Sequence, residues 1–390
     1  MKIVRGILVA IIGIILVITA SLYLTGNDFL LTAINRTYLS GYKTANINDH
    51  RVFERNIIKT GKTQPLEKHE SYNKQALPAE LLEELNKLNT AAFLILHKKQ
   101  LISEHYLNGY DDRSKTNSFS MAKTVLTMLL GIAIQEGHIE SLEQPVTDFL
   151  PEFKNDPLAK QATIGHLIMM NSGYEWDEHY YSPLSPVAEL YYGDNVSNFL
   201  GNGYFSEKAG EFWEYSSAST QLAGIFIARA LNKGGAANNL SDYLSRKLWQ
   251  PLGMNDNGVW HSDAQGMELT FCCLNTNARN YAKLGLLMLN QGEWEGTQLV
   301  PAKFIEHMLS PVASETYGLS TWLSYEQEPK LHWFSGHLGQ YIVNVPEHDL
   351  TIVRLGEKSS PNVNPHTIQT ISNYLRKYYL DYALTLIEEH

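Results

Sequence analysis

Cysteine is nearly absent from this sequence. Only two of the 390 residues are cysteines, the adjacent Cys272 and Cys273. Adjacent cysteines rarely bridge, because the geometry of a disulfide strains the peptide between them. We therefore expect neither a disulfide framework nor a zinc site. Since both residues lie in apolar sequence before a helical run, we predict that they are small core residues rather than reactive thiols.

A surplus of basic residues is also missing. Lysine and arginine together number 31 against 41 acidic residues, for a formal net charge of -10. Binding to a polyanion needs excess positive charge on one face, so we do not expect a nucleic-acid partner. Motifs of the His-Glu-x-x-His type do not occur, so neither a metal nor another cofactor is expected. The hydrophobic content of 44% is enough for a large core.

One long hydrophobic run stands at the N-terminus. Residues 6–24 are uncharged and mostly apolar, and Lys2 and Arg5 precede them. This length suits a helix that crosses a bilayer, and the preceding positive charges favour a cytoplasmic N-terminus. We predict that residues 1–26 are an uncleaved membrane anchor, with a cleaved signal peptide as the alternative. In both cases the catalytic part of the chain is expected on the periplasmic, extracytoplasmic side.

The remaining chain predicts an α/β fold. Residues 27–87 are polar and irregular and suggest a linker and surface strap, with an amphipathic helix at 78–88. Residues 88–390 are predicted to form one domain that begins with a hairpin and ends with strands and a terminal helix, with helical segments between. The predicted strands are 91–97, 100–106, 319–325, 331–336, 340–346 and 350–356, and the predicted helices are 121–136, 161–170, 220–232, 240–249, 277–290 and 364–387.

A Ser-x-x-Lys pair heads the most apolar of these helices. The spacing occurs three times, at Ser40, Ser71 and Ser120, but only Ser120 is followed by nearly continuous apolar sequence. Three residues are almost one helical turn, so the Ser120 hydroxyl lies within reach of the Lys123 amine. Burial lowers the pKa of a lysine and makes Lys123 a candidate proton acceptor. The alternative is that Ser120 caps the helix and Lys123 extends its amine to solvent.

Two further segments carry candidate chemistry. Tyr215 and Ser217 stand where a polar loop meets an apolar helical run, and a tyrosine there could relay a proton or simply pack at the helix start. Ser335, Gly336 and His337 end a strand, where glycine lets backbone approach a ligand and an adjacent N–H could complete an oxyanion hole with that of Ser120. An ordinary hairpin turn is the alternative.

These three segments together resemble the motifs of the serine β-lactamase and penicillin-binding-protein superfamily. The likeness runs from about Leu88 to the C-terminus and is greatest to the class C branch, including 6-aminohexanoate-dimer hydrolase and related esterase-like hydrolases. The stretches 161–180, 266–296 and 317–323 and the Gly-His-Leu-Gly-Gln run at 336–340 add to it. The resemblance implies a β-lactamase/DD-peptidase-like fold, an antiparallel sheet flanked by helices with an inserted, mainly helical subdomain.

The resemblance also assigns roles to individual residues. It implies that Ser120 is the acylated nucleophile, Lys123 its general base and Tyr215 the proton relay to the leaving group. The backbone N–H groups of Ser120 and His337 would form the oxyanion hole. Substrate-binding positions by the same resemblance are Ser217, Ser335, Gly336, Tyr174, Tyr180 and Tyr181, the tyrosines lying in or just after the 171–174 segment.

Two positions depart from the family pattern. Ser217 stands where β-lactamases have asparagine, and Phe334 stands where they have lysine. The change at Phe334 removes the positive charge expected to hold the carboxylate of a β-lactam or a peptide. Both departures argue against penicillins as substrates. Asp177 and Glu178 could position a substrate amine, or they are solvated loop charges.

We therefore expect an exported serine hydrolase that cleaves a small-molecule or peptide-like amide or ester through an acyl-enzyme. A hydrolase of the Ser-His-Asp type is disfavoured because the sequence lacks a Gly-x-Ser-x-Gly elbow. Two alternatives stay open. One is a penicillin-binding DD-peptidase or β-lactamase acting on cell-wall peptides or β-lactams, and the other is an inactive binding or scaffold protein of the envelope.

Overall fold

The computed structural model describes residues 2–361, 363 and 367–388, and every structural statement below refers to them. The α-helices in chain order are α1 (Lys2–Leu24), α2 (Phe29–Arg36), α3 (Ala79–Lys87), α4 (Met121–Gln135), α5 (Ile164–Ile168), α6 (Pro186–Tyr192), α7 (Val196–Gly201), α8 (Ser217–Lys233), α9 (Leu240–Leu244), α10 (Ala278–Leu289), α11 (Ala302–Met308), α12 (Ile368–Leu375) and α13 (Asp381–Glu388). The strands are β1 (Arg55–Ile58), β2 (Thr90–His97), β3 (Gln100–Tyr106), β4 (Thr116–Asn117), β5 (Gly258–His261), β6 (Leu274–Thr276), β7 (Glu293–Trp294), β8 (Thr297–Gln298), β9 (Trp322–Ser324), β10 (Leu331–Gly336), β11 (Gln340–Val345) and β12 (Leu350–Gly356).

The central sheet joins both ends of the catalytic part of the chain. Within the described residues its strand order is β3-β2-β12-β11-β10-β9, and every neighbouring pair is antiparallel. Side chains of β2 alternate between two cores, as a strand covered on both faces requires. Phe93 and Ile95 pack with the terminal helices, whereas Leu94 and Leu96 pack with the larger helical core. The α/β fold with an antiparallel sheet and flanking helices is confirmed.

A smaller sheet of order β1-β5-β6-β4 lies at the start of helix α4. Its edge strand β1 comes from the segment predicted as linker and strap, and Arg55 pairs with His261 of β5. The same segment buries Ile47, Phe53 and Ile58 in the main core. Residues 27–87 therefore contribute helix, strand and core packing in addition to loops.

Most predicted elements match the structure, with differences at short segments. The helices at 121–136, 220–232 and 277–290 and the hairpin 91–106 are confirmed. The run at 240–249 is helical throughout, but its second half, Ser245–Trp249, is a π-helix. At 319–325 only Trp322–Ser324 pairs as a strand, and at 161–170 the α-helix covers Ile164–Ile168. The terminal helix is confirmed from Ile368 onward, through the π-helical segment Arg376–Leu380, and its predicted start at 364–366 lies outside the described residues.

The two cysteines depart from expectation. Cys272 and Cys273 are joined by a disulfide, with Cα atoms 3.7 Å apart. Cys273 has a left-handed φ of 75°, which is uncommon for a residue other than glycine. Both residues are buried in the core. Their prediction as core residues is confirmed, and the expectation that they do not bridge is wrong.

Helix α1 stands apart from both cores. It has 23 residues and none of them is buried. It is long and apolar enough either to span a membrane or to be a signal sequence.

Candidate active site

The site is built around the sharp entry into helix α4. Strand β4 ends at Asn117, and the Asn117 side chain accepts a hydrogen bond from the Phe119 N–H at 2.9 Å. Phe119 has a φ of 44°, which is unfavourable for a bulky residue and is held by the surrounding contacts. Ser118 is tied to Leu274 of β6 by its N–H, which donates to the Leu274 carbonyl at 2.8 Å. The small sheet thereby fixes Ser120 as the N-cap residue of α4.

Lys123 lies one turn into α4 and is only 1% exposed. Its Nζ donates to Ser120 Oγ at 3.1 Å, to Ser217 Oγ at 3.2 Å and to the Phe271 carbonyl at 2.8 Å. An ammonium has three donors, so these acceptors use all of them. Burial lowers the pKa of Lys123 to about 8, against an opposing effect of the Glu178 carboxylate. A substantial fraction of the amine is therefore neutral near neutral pH.

Tyr215 and Ser217 approach this pair from the start of helix α8. The Tyr215 ring centroid lies 5.1 Å from Lys123 Nζ, and its phenol lies beside Ser120. The ring stacks on Trp322 at 5.5 Å, which fixes its plane. Burial raises the pKa of Tyr215, and the negative charge of Glu178 raises it further. The phenol is therefore protonated at neutral pH and is able to donate a proton.

Glu178 braces Ser217 from the opposite side. Its carboxylate accepts hydrogen bonds from the Ser217 N–H at 2.7 Å, from Ser217 Oγ at 2.6 Å and from Trp176 Nε1 at 2.6 Å. The Tyr180 hydroxyl donates to it as well, and the Tyr180 ring stacks on His337 with centroids 5.6 Å apart. The loop from Trp176 to Tyr180 thus crosses the site from α8 to the turn after β10. A chain of hydrogen bonds runs from Lys123 through Ser217 to Glu178.

The end of strand β10 lies directly against the Ser120 segment. A Cβ at Gly336 would stand 2.2 Å from the Ser118 carbonyl oxygen, so only glycine permits this approach. The next residue, His337, has its ring centroid 5.5 Å from that of Phe119. Burial lowers the pKa of His337 to about 4, and the imidazole is neutral at neutral pH. The backbone N–H of His337 therefore lies close to the start of α4.

The residues beside Gly336 carry no charge. Ser335 is half-buried and Phe334 is fully buried, at 0% exposure, in the position where the β-lactamase motif has lysine. The structure accordingly puts a hydrophobic core residue where a carboxylate-binding cation would stand.

Two of the predicted tyrosines lie away from this group. The Tyr174 hydroxyl donates to the Leu200 carbonyl at 2.7 Å, and its ring packs on Phe153 and Phe205. Tyr181 is 80% exposed. Of the three predicted tyrosines, Tyr180 alone contacts the group around Ser120 in the described part of the chain.

Sequence reasoning missed two partners of the site. The Phe271 carbonyl that holds Lys123 is a backbone group and leaves no sequence signature. Glu178 is predicted from sequence either to position a substrate amine or to be a solvated loop charge, and its bonds to Ser217 and Trp176 were missed. Among the residues described, no cluster of three or more His, Cys, Asp or Glu side chains offers a metal site.

Two sequence comparisons identify relatives of this chain. The sequence matches the family model described as Beta-lactamase over residues 79–370. It is 23% identical to the 6-aminohexanoate-dimer hydrolase of Paenarthrobacter ureafaciens over 314 residues, 73% of this chain and 76% of that protein.

Solved structures show the same fold. A candidate 6-aminohexanoate-dimer hydrolase from Bacillus anthracis superimposes with a TM-score of 0.72 at 23% identity, covering 86% of this chain and 92% of the other. A family VIII carboxylesterase superimposes with a TM-score of 0.56 at 16% identity, covering 77% and 99%. Because the family match extends over most of the chain, this protein belongs to the Beta-lactamase family and is a serine hydrolase.

Proposed function

We propose that this chain cleaves an amide or ester bond through an acyl-enzyme on Ser120. The observation that carries the proposal is the Ser120 hydroxyl, 3.1 Å from a buried amine whose pKa is lowered to about 8. At this pKa the amine both accepts the hydroxyl proton and returns it within one catalytic cycle.

Acylation begins when neutral Lys123 removes the Ser120 proton and Oγ attacks the substrate carbonyl. The negative charge on the carbonyl oxygen is stabilised by the backbone N–H groups of Ser120 and His337. Tyr215 donates its proton to the leaving amine or alcohol as the carbonyl–heteroatom bond breaks, and regains one from Lys123. Water then attacks the acyl-enzyme, and the acid product leaves with Ser120 protonated again.

The lining of the site favours a neutral acyl group. The relatives are named for amide and ester hydrolysis, and buried Phe334 supplies no cation for the carboxylate of a peptide or β-lactam. Ser217 cannot reproduce the amide contacts of an asparagine, and its hydroxyl is already bonded to Glu178. These features support a small-molecule amide or ester hydrolase over a DD-peptidase or β-lactamase, with Ser217, Ser335, Gly336 and Tyr180 as substrate-binding positions.

Covalent labelling tests the proposal. The full chain in detergent is treated with a fluorescent phosphonate and, separately, with a fluorescent penicillin. We expect phosphonate labelling that is lost in Ser120→Ala. Ser71→Ala is the matched control, because Ser71 heads another Ser-x-x-Lys pair of the same sequence. Labelling that persists in Ser120→Ala would assign another nucleophile, penicillin labelling would favour the peptidase, and labelling by neither reagent would indicate an inactive scaffold.

We also propose that α1 holds the enzyme at the membrane with residues 27–87 and the catalytic domain 88–390 outside the cytoplasm. No residue of the helix is buried, and the basic residues Lys2 and Arg5 lie at its N-terminal end. A fusion of alkaline phosphatase after residue 28 should be active in the periplasm and fractionate with membranes. Activity in the soluble periplasmic fraction would instead indicate cleavage, and an inactive fusion would contradict export.

A further inference from the structure

The turn that carries His337 is held in an unfavourable backbone conformation. It joins β10 to β11, and in it Leu338 has a φ of 61° and Gly339 a φ of 76°. A non-glycine residue in the left-handed region is uncommon and persists where neighbouring groups fix it. The groups that fix this turn are therefore candidates for control of the His337 N–H.

Arg354 is one of these groups. It lies on β12 opposite Tyr341 of β11 and is 1% exposed. Its Nη1 donates to the carbonyls of Leu338 and Gly339, each at 2.9 Å. On the other side, Nε and Nη2 donate to Thr90 Oγ1 and Nη2 donates to the Leu88 carbonyl. Within the described residues no carboxylate pairs with this guanidinium, so its charge is offset by carbonyl and hydroxyl acceptors alone.

The backbone is shaped to admit this guanidinium. A Cβ at Gly339 would stand 2.8 Å from Arg354 Nη1, and a Cβ at Gly356 would stand 2.4 Å from Nη2. The planar fork of arginine reaches acceptors on two sides at once, which the single ammonium of a lysine does not. Arg354 thereby connects the turn to the start of β2.

Gln340 fixes the remaining carbonyl of the turn. It is fully buried, and its Nε2 donates to the His337 carbonyl at 3.0 Å and to the Gly356 carbonyl at 2.7 Å. Its Oε1 accepts from the Gly356 N–H at 3.0 Å. The carbonyls of residues 337, 338 and 339 thus each accept a hydrogen bond from a buried side chain. Rotation of any of these peptides would break at least one such bond.

We infer that Arg354 and Gln340 are positioning residues that aim the His337 N–H at the developing oxyanion. The inference rests on the proposed function, which assigns that N–H to the oxyanion hole. The oxyanion forms only after Oγ attacks the carbonyl, in the transition states and the tetrahedral intermediate. Loosening the turn therefore lowers kcat and leaves the Michaelis complex nearly unchanged. A purely structural role would instead lower stability without a selective effect on kcat.

The test compares Gln340→Met and Arg354→Lys with the wild-type full chain, using p-nitrophenyl esters. Gln340→Met keeps the length of the side chain and removes the amide that donates to the His337 and Gly356 carbonyls. Arg354→Lys keeps the positive charge and removes the planar guanidinium. We expect kcat to fall about 10- to 100-fold in each variant, as for a donor displaced by a fraction of an ångström. KM should change by less than about threefold.

Lys283→Met is the matched control. Like Arg354, Lys283 is fully buried and has no carboxylate partner in the described part of the chain. It donates to the carbonyls of Gln64 and Gly253 and lies on α10 instead of in the turn. Its loss should leave kcat within about twofold of wild type. An equal fall of kcat in Lys283→Met would show a general effect of core damage and overturn the inference.

Folding and nucleophile controls complete the design. Circular dichroism and Tm identify the variants that fold, and the inference is judged on Gln340→Met if Arg354→Lys does not fold. Wild-type kcat in folded Gln340→Met, with turnover still abolished by Ser120→Ala, overturns the positioning role alone. Hydrolysis that survives Ser120→Ala would instead overturn the proposed function.

Discussion

The pKa of Lys123 makes the pH dependence of turnover a direct test of the site. The base must be neutral, and kcat/KM reports the protonation of the free enzyme. With a pKa of about 8 the neutral fraction at pH 7 is about one tenth, whereas an ordinary lysine would be neutral in roughly one molecule in 3,000. We expect kcat/KM to rise about fifty-fold between pH 6 and pH 8 and to level off above pH 9.

Substitution of Glu178 tests the electrostatic contribution of its carboxylate to the pKa of Lys123. The carboxylate raises the pKa of Lys123 and so opposes the effect of burial. In Glu178→Gln the negative charge is lost, and the rise in kcat/KM should shift to lower pH. Asp177→Asn is the matched control, since it makes the same chemical change at an exposed position of the same loop and should leave the inflection in place.

The assay is hydrolysis of p-nitrophenyl esters, quenched to one pH before product is read, with the rate of Ser120→Ala subtracted at each pH. An inflection near the usual lysine pKa of 10.5 would refute the assignment of Lys123 as the base. A shift of the Glu178→Gln inflection to higher pH would refute the electrostatic explanation.

Three further predictions concern stability and its relation to activity. Lys123→Met should lower kcat by about 10²- to 10⁴-fold, but Tm at pH 7 should not fall. The pKa of Lys123 is lower in the folded state than in the unfolded state. The free-energy cost of burying the ammonium is therefore present below about pH 8 and is lost as pH rises toward 10.5. A fall in Tm by several degrees at pH 7 would contradict this. Gly224→Ala would place a Cβ 2.1 Å from Thr270 Oγ1 and should lower the free energy of unfolding by about 1–3 kcal/mol in urea titrations. Unchanged stability would show that α8 moves to relieve this clash and would contradict the prediction. Arg279→Met leaves buried Glu104 without its bidentate partner and should lower the free energy of unfolding by about 3–5 kcal/mol. This loss of stability should be smaller at low pH, where Glu104 becomes protonated. A loss that does not depend on pH would indicate that the packing of Arg279 is responsible instead.

The long periodic elements were predictable from the sequence because their patterns are strong. The apolar run after Ser120 indicated a buried helix, and the segments 331–336, 340–346 and 350–356 indicated strands. Ser120, Lys123 and Tyr215 could be singled out because each stands at a junction between polar and apolar sequence, and the structure brings them together. The roles assigned to them remain predictions.

The rest depends on contacts that local patterns do not encode. Strand β1 pairs with β5 across about 200 residues, so its four residues alone gave no sign of a sheet. Tyr174 and Tyr180 looked alike in sequence, but the Tyr174 hydroxyl donates to the Leu200 carbonyl, whereas the Tyr180 ring stacks on His337. The bridge between the adjacent cysteines was likewise not expected from their spacing.

The short connection between α1 and α2 would hold a membrane-anchored form of the enzyme, as proposed above, close to the bilayer. Only residues 25–28 lie between the two helices, and Phe29 is already buried in the main core. Four extended residues span at most about 14 Å. With α1 inserted, the catalytic body is therefore confined to the layer next to the lipid headgroups. Diffusion in two dimensions along that layer, instead of through the bulk compartment, would govern which substrates it meets.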